Sequence, residues 1–327
     1  MLLPRLSTLL GITSLATLPV ANAYDGDDNI KSIPLRTHSL APPYLDSDFQ
    51  SRWFDFGGDT IIRADKYIRL TSDRPSQKGW IFSRVPLTAT NWEVEVEFKI
   101  HGDGNLHGDG FAMWLTKQRA TEGPVFGSAD RFDGLGIFFD TYKNNRPGTS
   151  FPYVMAMMGD GQTTYDQAHD GKANELAGCS ARGLRGATIP TKARLTYFQD
   201  KSLSLDLQYK SEDTWNNCFT LTAPDANIAI PSVAYLGFSA ETGELSDNHD
   251  IISVKSSNLY SIGGSKSTSS NRASSPKNDR ARVRTNSQKQ NRSWGWVLFK
   301  IVLFFGAVAG CYVGYTVYRT RQRYSRF

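Results

Sequence analysis

Between about Phe49 and Tyr260 the chain holds no long apolar period of 3.6 residues. It offers short runs instead, at Thr60–Ile62, Tyr67–Thr71, Trp92–Ile100, Gly110–Thr116, Tyr153–Met158, Ala193–Phe198, Leu203–Tyr209, Tyr235–Ala240 and Ile251–Leu259. Gly, Asp, Asn and Pro punctuate them. Runs of this length with regular turn residues build sheets, and many of them in series predict an all-β sandwich. Trp92–Phe98 alternates: Val94, Val96 and Phe98 share one face, and Glu93, Glu95 and Glu97 share the other. The three carboxylates read as a solvated strand face, or as an acid/base set for glycoside hydrolysis.

Residues 134–144, GLGIFFDTYKN, form the candidate centre. Leu135, Ile137, Phe138 and Phe139 read as a core strand. It ends in Asp140, Tyr142 and Asn144, which can offer a carboxylate, a backbone carbonyl and an amide from one loop. Calcium takes six to eight such oxygens, although Asp and Asn also favour plain turns. Asp170, in the polar turn Tyr165–Gly171, can add a carboxylate. His101-Gly102-Asp103-Gly104 recurs as His107-Gly108-Asp109-Gly110, which suits either a zinc site or a loop with close backbone approach.

The ends carry addresses. Residues 1–23 have Arg5, an apolar stretch and Ala21-Asn22-Ala23, the pattern of a secretory signal. Residues 294–318 are almost wholly apolar, long enough for one C-terminal transmembrane helix, with Trp294 and Trp296 at one end and Tyr315 and Tyr318 at the other. Arg319, Arg321, Arg323 and Arg326 follow, so 319–327 reads as a cytoplasmic tail and the chain as a type I membrane protein. Residues 261–293 read as a disordered basic stalk without heptads. The overall charge of +5 comes from this end: residues 261–327 are net +12, which leaves 1–260 at net −7. An acidic lumenal part gives no basis for nucleic-acid binding. Of three cysteines, Cys311 falls in the span, and Cys179 and Cys218 are expected to pair in an oxidising compartment.

WFDFGGDT, LHGDGFAMW, GPVFGSAD, GLGIFFDTYKNN, YDQAHDG, ELAGC and TGELSDNHDIIS occur in the order seen in L-type (leguminous-type) lectins of the early secretory pathway, which the chain resembles over about 40–260. Without a coiled-coil stalk it is most similar to the vesicular integral-membrane branch. The resemblance implies a concanavalin-like jelly-roll in a lumenal domain, 24–260, that binds high-mannose N-glycans on glycoprotein cargo with the help of Ca2+. It implies Asp140, Asn144 and Asp170 as side-chain calcium ligands and Tyr142 as a carbonyl ligand. It implies sugar contacts from Asp109, after a cis Gly108–Asp109 bond, and from Asn144, with Gly243, Glu244 and Leu245 closing over the sugar. Gln167 stands where the family usually has a sugar-contacting His, and Trp80 where a small residue is common. Such a lectin would work in endoplasmic reticulum, intermediate-compartment and Golgi membranes, and the terminal Phe327 resembles an exit signal read by vesicle coat proteins. Two other classes compete: a glycoside hydrolase using Glu93, Glu95 or Glu97, and a cargo receptor that recognises protein on the same fold.

Overall fold

The computed structural model describes residues 30–223, 226 and 228–261. The expected signal, membrane span and tail, and the stalk beyond Ser261, lie outside the described residues. Among the described residues no helix is long and apolar enough to cross a membrane.

In chain order the strands are β1 (Ile30–Pro34), β2 (Phe54–Gly58), β3 (Ile61–Arg63), β4 (Tyr67–Thr71), β5 (Lys78–Ser83), β6 (Asn91–His101), β7 (Gly110–Thr116) and β8 (Asp133–Asp140). They continue as β9 (Tyr153–Asp160), β10 (Ala177–Ser180), β11 (Thr191–Phe198), β12 (Ser202–Gln208), β13 (Asn216–Thr222), β14 (Tyr235–Glu241) and β15 (Asn248–Ser261). One antiparallel sheet runs β13-β12-β11-β6-β15-β4-β3, with β1 also paired to β15; the other runs β10-β9-β8-β7-β14-β5-β2. The expected all-β sandwich is present.

The alternation of β6 works as expected on its inner face: Val94, Val96 and Phe98 are at most 1% exposed. Phe98 meets Phe111 and Phe139 of the opposite sheet, with ring centroids 4.8 and 5.2 Å away, and Phe111 stacks on Phe139 at 4.4 Å. This aromatic contact joins the sheets directly behind the ends of β7 and β8. The outer face of β6 is less solvated than its sequence predicts. Glu93 is buried and accepts a hydrogen bond from Thr196 Oγ1, and Glu95 pairs with Arg194, whose guanidinium lies over Trp215. The reason is cross-strand pairing: β11 sets Thr196 opposite Glu93 and Arg194 opposite Glu95. These carboxylates belong to a different sheet from Asp140 and from β7, which Asp109 immediately precedes.

β8 is buried along both faces. Leu135, Ile137 and Phe139 fill the space between the sheets, while Phe138 enters a second core with Phe82, Trp114, Phe126, Phe132, Met155, Met157 and Tyr165. That second core lies on the outer side of the β8 sheet, under the 118–132 and 161–176 segments. It explains why the run in β8 is continuous rather than alternating. Tyr165, read from sequence as part of a polar turn, is buried there, edge-on to Phe126 at 6.0 Å. Cys179 and Cys218 form the expected disulfide, linking β10 to β13 and so one sheet to the other.

Candidate functional site

The loops at one end of the β8 sheet enclose a cavity of about 260 Å³ lined by Asp109, Pro124, Phe126, Asp140, Tyr142, Asn144, Tyr165, Gln167 and Glu241. Strand register gathers the core of this set. β7 starts at Gly110, which pairs with Asp140 at the end of β8 and with Glu241 at the end of β14. Asp109 precedes Gly110 through a cis Gly108–Asp109 peptide, as expected. Its N–H donates to the Glu241 carbonyl at 3.2 Å, and its carbonyl accepts from Thr141 N at 2.9 Å. At Gly110 a Cβ would fall 2.2 Å from the Phe139 carbonyl, so no larger residue fits between Asp109 and the strand.

With its backbone held on both sides, the Asp109 carboxylate faces the cavity. No donor among the described residues bonds either of its oxygens. Burial pushes its pKa up to about 6, and Glu241 adds to the rise. Such a half-desolvated acceptor is suited to hydroxyl donors from a ligand.

Asp140 is 5% exposed and accepts one hydrogen bond, from Tyr142 N at 3.0 Å. Burial, then the neighbouring Asp170, raises its pKa well above the ordinary carboxylate value. Asp170 sits in the left-handed region at φ 52° after a short 3₁₀ turn, Gln167–His169. It ties down the end of the 140–145 loop: its Oδ1 accepts from Asn144 N and Nδ2, and its Oδ2 from Asn145 N. Arg146, the buried cation beside them, is committed elsewhere. It donates to the Asp170 carbonyl, pairs with Glu175 and lies over the Tyr153 ring.

Two buried carboxylates, with no free cation between them among the described residues, form a cation-seeking arrangement. The available donors are carboxylate, amide and carbonyl oxygens, all hard. That chemistry fits calcium, and Asp140, Asn144, Asp170 and the Tyr142 carbonyl would hold it. Among the described residues no three His, Cys, Asp or Glu side chains gather as a metal cluster. The two His-Gly-Asp-Gly copies also serve different ends. His101 bonds Asp250 at 3.0 Å, whereas the second copy delivers Asp109 to the cavity.

The remaining expected residues divide. Gly243 sits against Asp109: a Cβ there would lie 3.1 Å from Asp109 Oδ2. Its carbonyl accepts from Ser76 N, which pins this loop to the one before β5. Leu245 lies near Gly108 and Glu244 is exposed, and none of the three lines the cavity itself. Gln167 reaches the cavity, but its Nε2 donates to the Pro124 carbonyl across it. Trp80 does not line the cavity; its indole lies over Gly57 and bonds Glu122. His169 turns to Asp166 at 3.0 Å. Sequence reading missed Glu241, Pro124, Phe126 and Tyr165 as cavity walls. They converge only through register and loop folding, although GPVFGSAD carried a visible turn signal.

A two-sheet sandwich whose loops hold an acidic cavity at one end is the architecture of a legume-type lectin. Residues 31–266 match the legume-like lectin family, and the chain belongs to it. The human vesicular integral-membrane protein VIP36 is 40% identical over 310 residues, 89% of this chain and 84% of that protein. An L-type lectin-like domain-containing protein of Schizosaccharomyces pombe is 41% identical over 226 residues, 68% of this chain and 71% of the relative. The lumenal domain of VIP36, solved in a Ca2+/Man3GlcNAc-bound form, superposes with a TM-score of 0.64 at 40% identity, covering 72% of this chain and 93% of that one. These relatives are lectins, not enzymes, and on β6 Glu93 and Glu95 are engaged in cross-strand pairing.

Proposed function

We propose that the chain is a calcium-dependent lectin for high-mannose N-glycans, working as a membrane-bound cargo receptor between endoplasmic reticulum and Golgi. The observation that carries this reading is the Asp109 carboxylate, fixed by its backbone, facing a cavity and without a donor among the described residues. Vicinal mannose hydroxyls supply the donors it lacks. Asn144 adds an amide that both donates and accepts, and the Gly243, Glu244 and Leu245 loop, which touches Asp109 and Gly108, would close over the sugar. A calcium ion on Asp140, Asn144, Asp170 and the Tyr142 carbonyl would offset the buried charge and fix Asn144 beside Asp109. The relative's lumenal domain, solved with Ca2+ and Man3GlcNAc, supports calcium and a mannose oligosaccharide as the kinds of ligand.

In this reading 1–23 is a signal, 24–260 the lumenal lectin domain, 261–293 a stalk, 294–318 the span and 319–327 a tail that meets vesicle coats. The described chain ends at Ser261, at the end of β15 away from the cavity, paired with Ile30. A glycan array on the full-length protein, with calcium and with chelator, tests the function. Calcium-dependent signal confined to oligomannose supports it; signal absent in both conditions favours a protein-binding receptor on the same fold.

Gln167 bears on pH. A His at its place would lose acceptor capacity as it protonates near its free pKa of about 6.5, whereas an amide does not titrate. Oligomannose affinity at saturating calcium is therefore expected to fall less between about pH 7.5 and about pH 6 for the native chain than for Gln167→His. Equal falls would refute this.

A further inference from the structure

Glu241 closes β14 on the cavity wall next to Asp109, between β7 and β5. Three contacts hold it. Its Oε1 accepts from Lys78 Nζ at 2.9 Å, its Oε2 from Gly127 N at 3.2 Å, and its backbone carbonyl from Asp109 N at 3.2 Å. Lys78 Nζ also donates to the Gly123 carbonyl at 3.1 Å, so the lysine is anchored on the same loop. A carboxylate oxygen offers two lone-pair sites. Each Glu241 oxygen therefore keeps one, and the side chain remains 21% exposed.

A loop brace alone has no need of a charge at this place. A second anion close to Asp109 costs energy unless something positive offsets it, and Lys78 does so. The outcome is two carboxylates at one small cavity: Asp109 without a donor among the described residues, and Glu241 oriented by a lysine and a backbone N–H. A polyol ring offers hydroxyls on adjacent carbons and can donate to both.

We propose that Glu241 is a specificity-determining residue that accepts one saccharide hydroxyl beside those held by Asp109, with Lys78 as the positioning residue that aims and neutralises it. This rests on the lectin reading above and adds the class of ligand. The cavity selects neutral saccharides with a hydroxyl at the carbon facing Glu241, and rejects the deoxy analogue at that carbon. A bond from a hydroxyl to an ionised acceptor is stronger than one to a neutral amide, so replacing Glu by Gln weakens binding without removing the acceptor.

The test titrates methyl α-mannoside and its monodeoxy analogues into the full-length protein with calcium, for the native chain, Glu241→Gln and Lys78→Met. Glu241→Gln is expected to lower affinity about tenfold for the parent and for every analogue but one. For the analogue lacking the hydroxyl that Glu241 holds, native and variant bind alike. Lys78→Met is expected to weaken the parent by about threefold and to add little on top of Glu241→Gln, since the two residues act on one contact. A structural brace would lower affinity for all analogues by a common factor. That uniform loss, or parent affinity unchanged in Glu241→Gln, overturns the proposal while the lectin reading stands. If the native chain binds no mannoside, the lectin reading fails and the proposal falls with it.

Discussion

Asp109→Asn is expected to abolish measurable mannoside binding, a loss of about a hundredfold or more. Two hydroxyl bonds to an ionised acceptor account for that size, at roughly 1.5–3 kcal/mol each. The substitution keeps shape and volume, and both backbone bonds of residue 109 stay in place, because they involve only its N–H and C=O. Its effect on folding runs the other way. The Asp109 pKa is raised to about 6, so the ionised side chain costs stability at neutral pH, and the amide removes that cost. The calcium-free variant should therefore melt at or slightly above the native temperature while failing to bind sugar. A variant that melts lower and keeps its affinity would show that Asp109 is structural.

The second large effect concerns the ion. Calcium at about a hundred times its dissociation constant adds roughly 2.7 kcal/mol of stability, or about 5–10 °C for a domain of this size. Asp140→Ala is expected to erase that increment, as read by thermal unfolding with calcium and with chelator. The pH dependence has a definite sign. Burial and Asp170 raise the Asp140 pKa in the absence of metal, so its ionised form destabilises the folded, calcium-free chain. That penalty is largest above the raised value and is relieved as pH falls toward the unfolded value, about 3.9. Buried His249 and His38, whose pKa values burial lowers, push the other way as acid is added. The informative quantity is therefore the difference between native chain and Asp140→Asn, in which the histidines cancel. Without calcium, Asp140→Asn should melt higher at about pH 7.5, and the gap should narrow by about pH 5.5. A gap that widens with acid would mean Asp140 is stabilised as an anion without calcium.

The parts of this structure visible in the sequence are those set by local pattern. The Val94, Val96 and Phe98 alternation placed the inner face of β6, and the apolar run ending in Asp140 placed β8 and the oxygen-rich loop. The interior runs of β4, β7, β9, β11, β12, β14 and β15 were also legible. Four of the missed strands have clear reasons. β2 and β13 are sheet edges, β13 carries the polar Asn216 and Asn217, and β10 has four residues. β5 begins at Lys78-Gly79, a pair that reads as a turn, and its outer face is covered by a loop more than thirty residues further on.

The same limit governs the site. Asp140, Tyr142 and Asn144 lie within five residues and could be read together. Asp170 could be read as a further carboxylate from its polar turn, but its place beside Asn144 depends on a left-handed turn, and Asp109 as a sugar contact needed the family resemblance, because its approach depends on strand register. Glu241 and Lys78 are 163 residues apart in sequence and meet only because β14 pairs with β5. The outer β6 carboxylates show the converse error. Alternation alone does not reveal the Arg194 and Thr196 that β11 sets beside them.

Calcium and mannose are expected to bind one linked site. The direct test is calorimetric titration of a mannotriose into the full-length protein, in calcium and after chelation, and of calcium with and without saturating sugar. The expected result is a saturable sugar isotherm in calcium, none measurable in chelator, and calcium bound more tightly when sugar is saturating. Sugar binding of equal strength in calcium and chelator would contradict it.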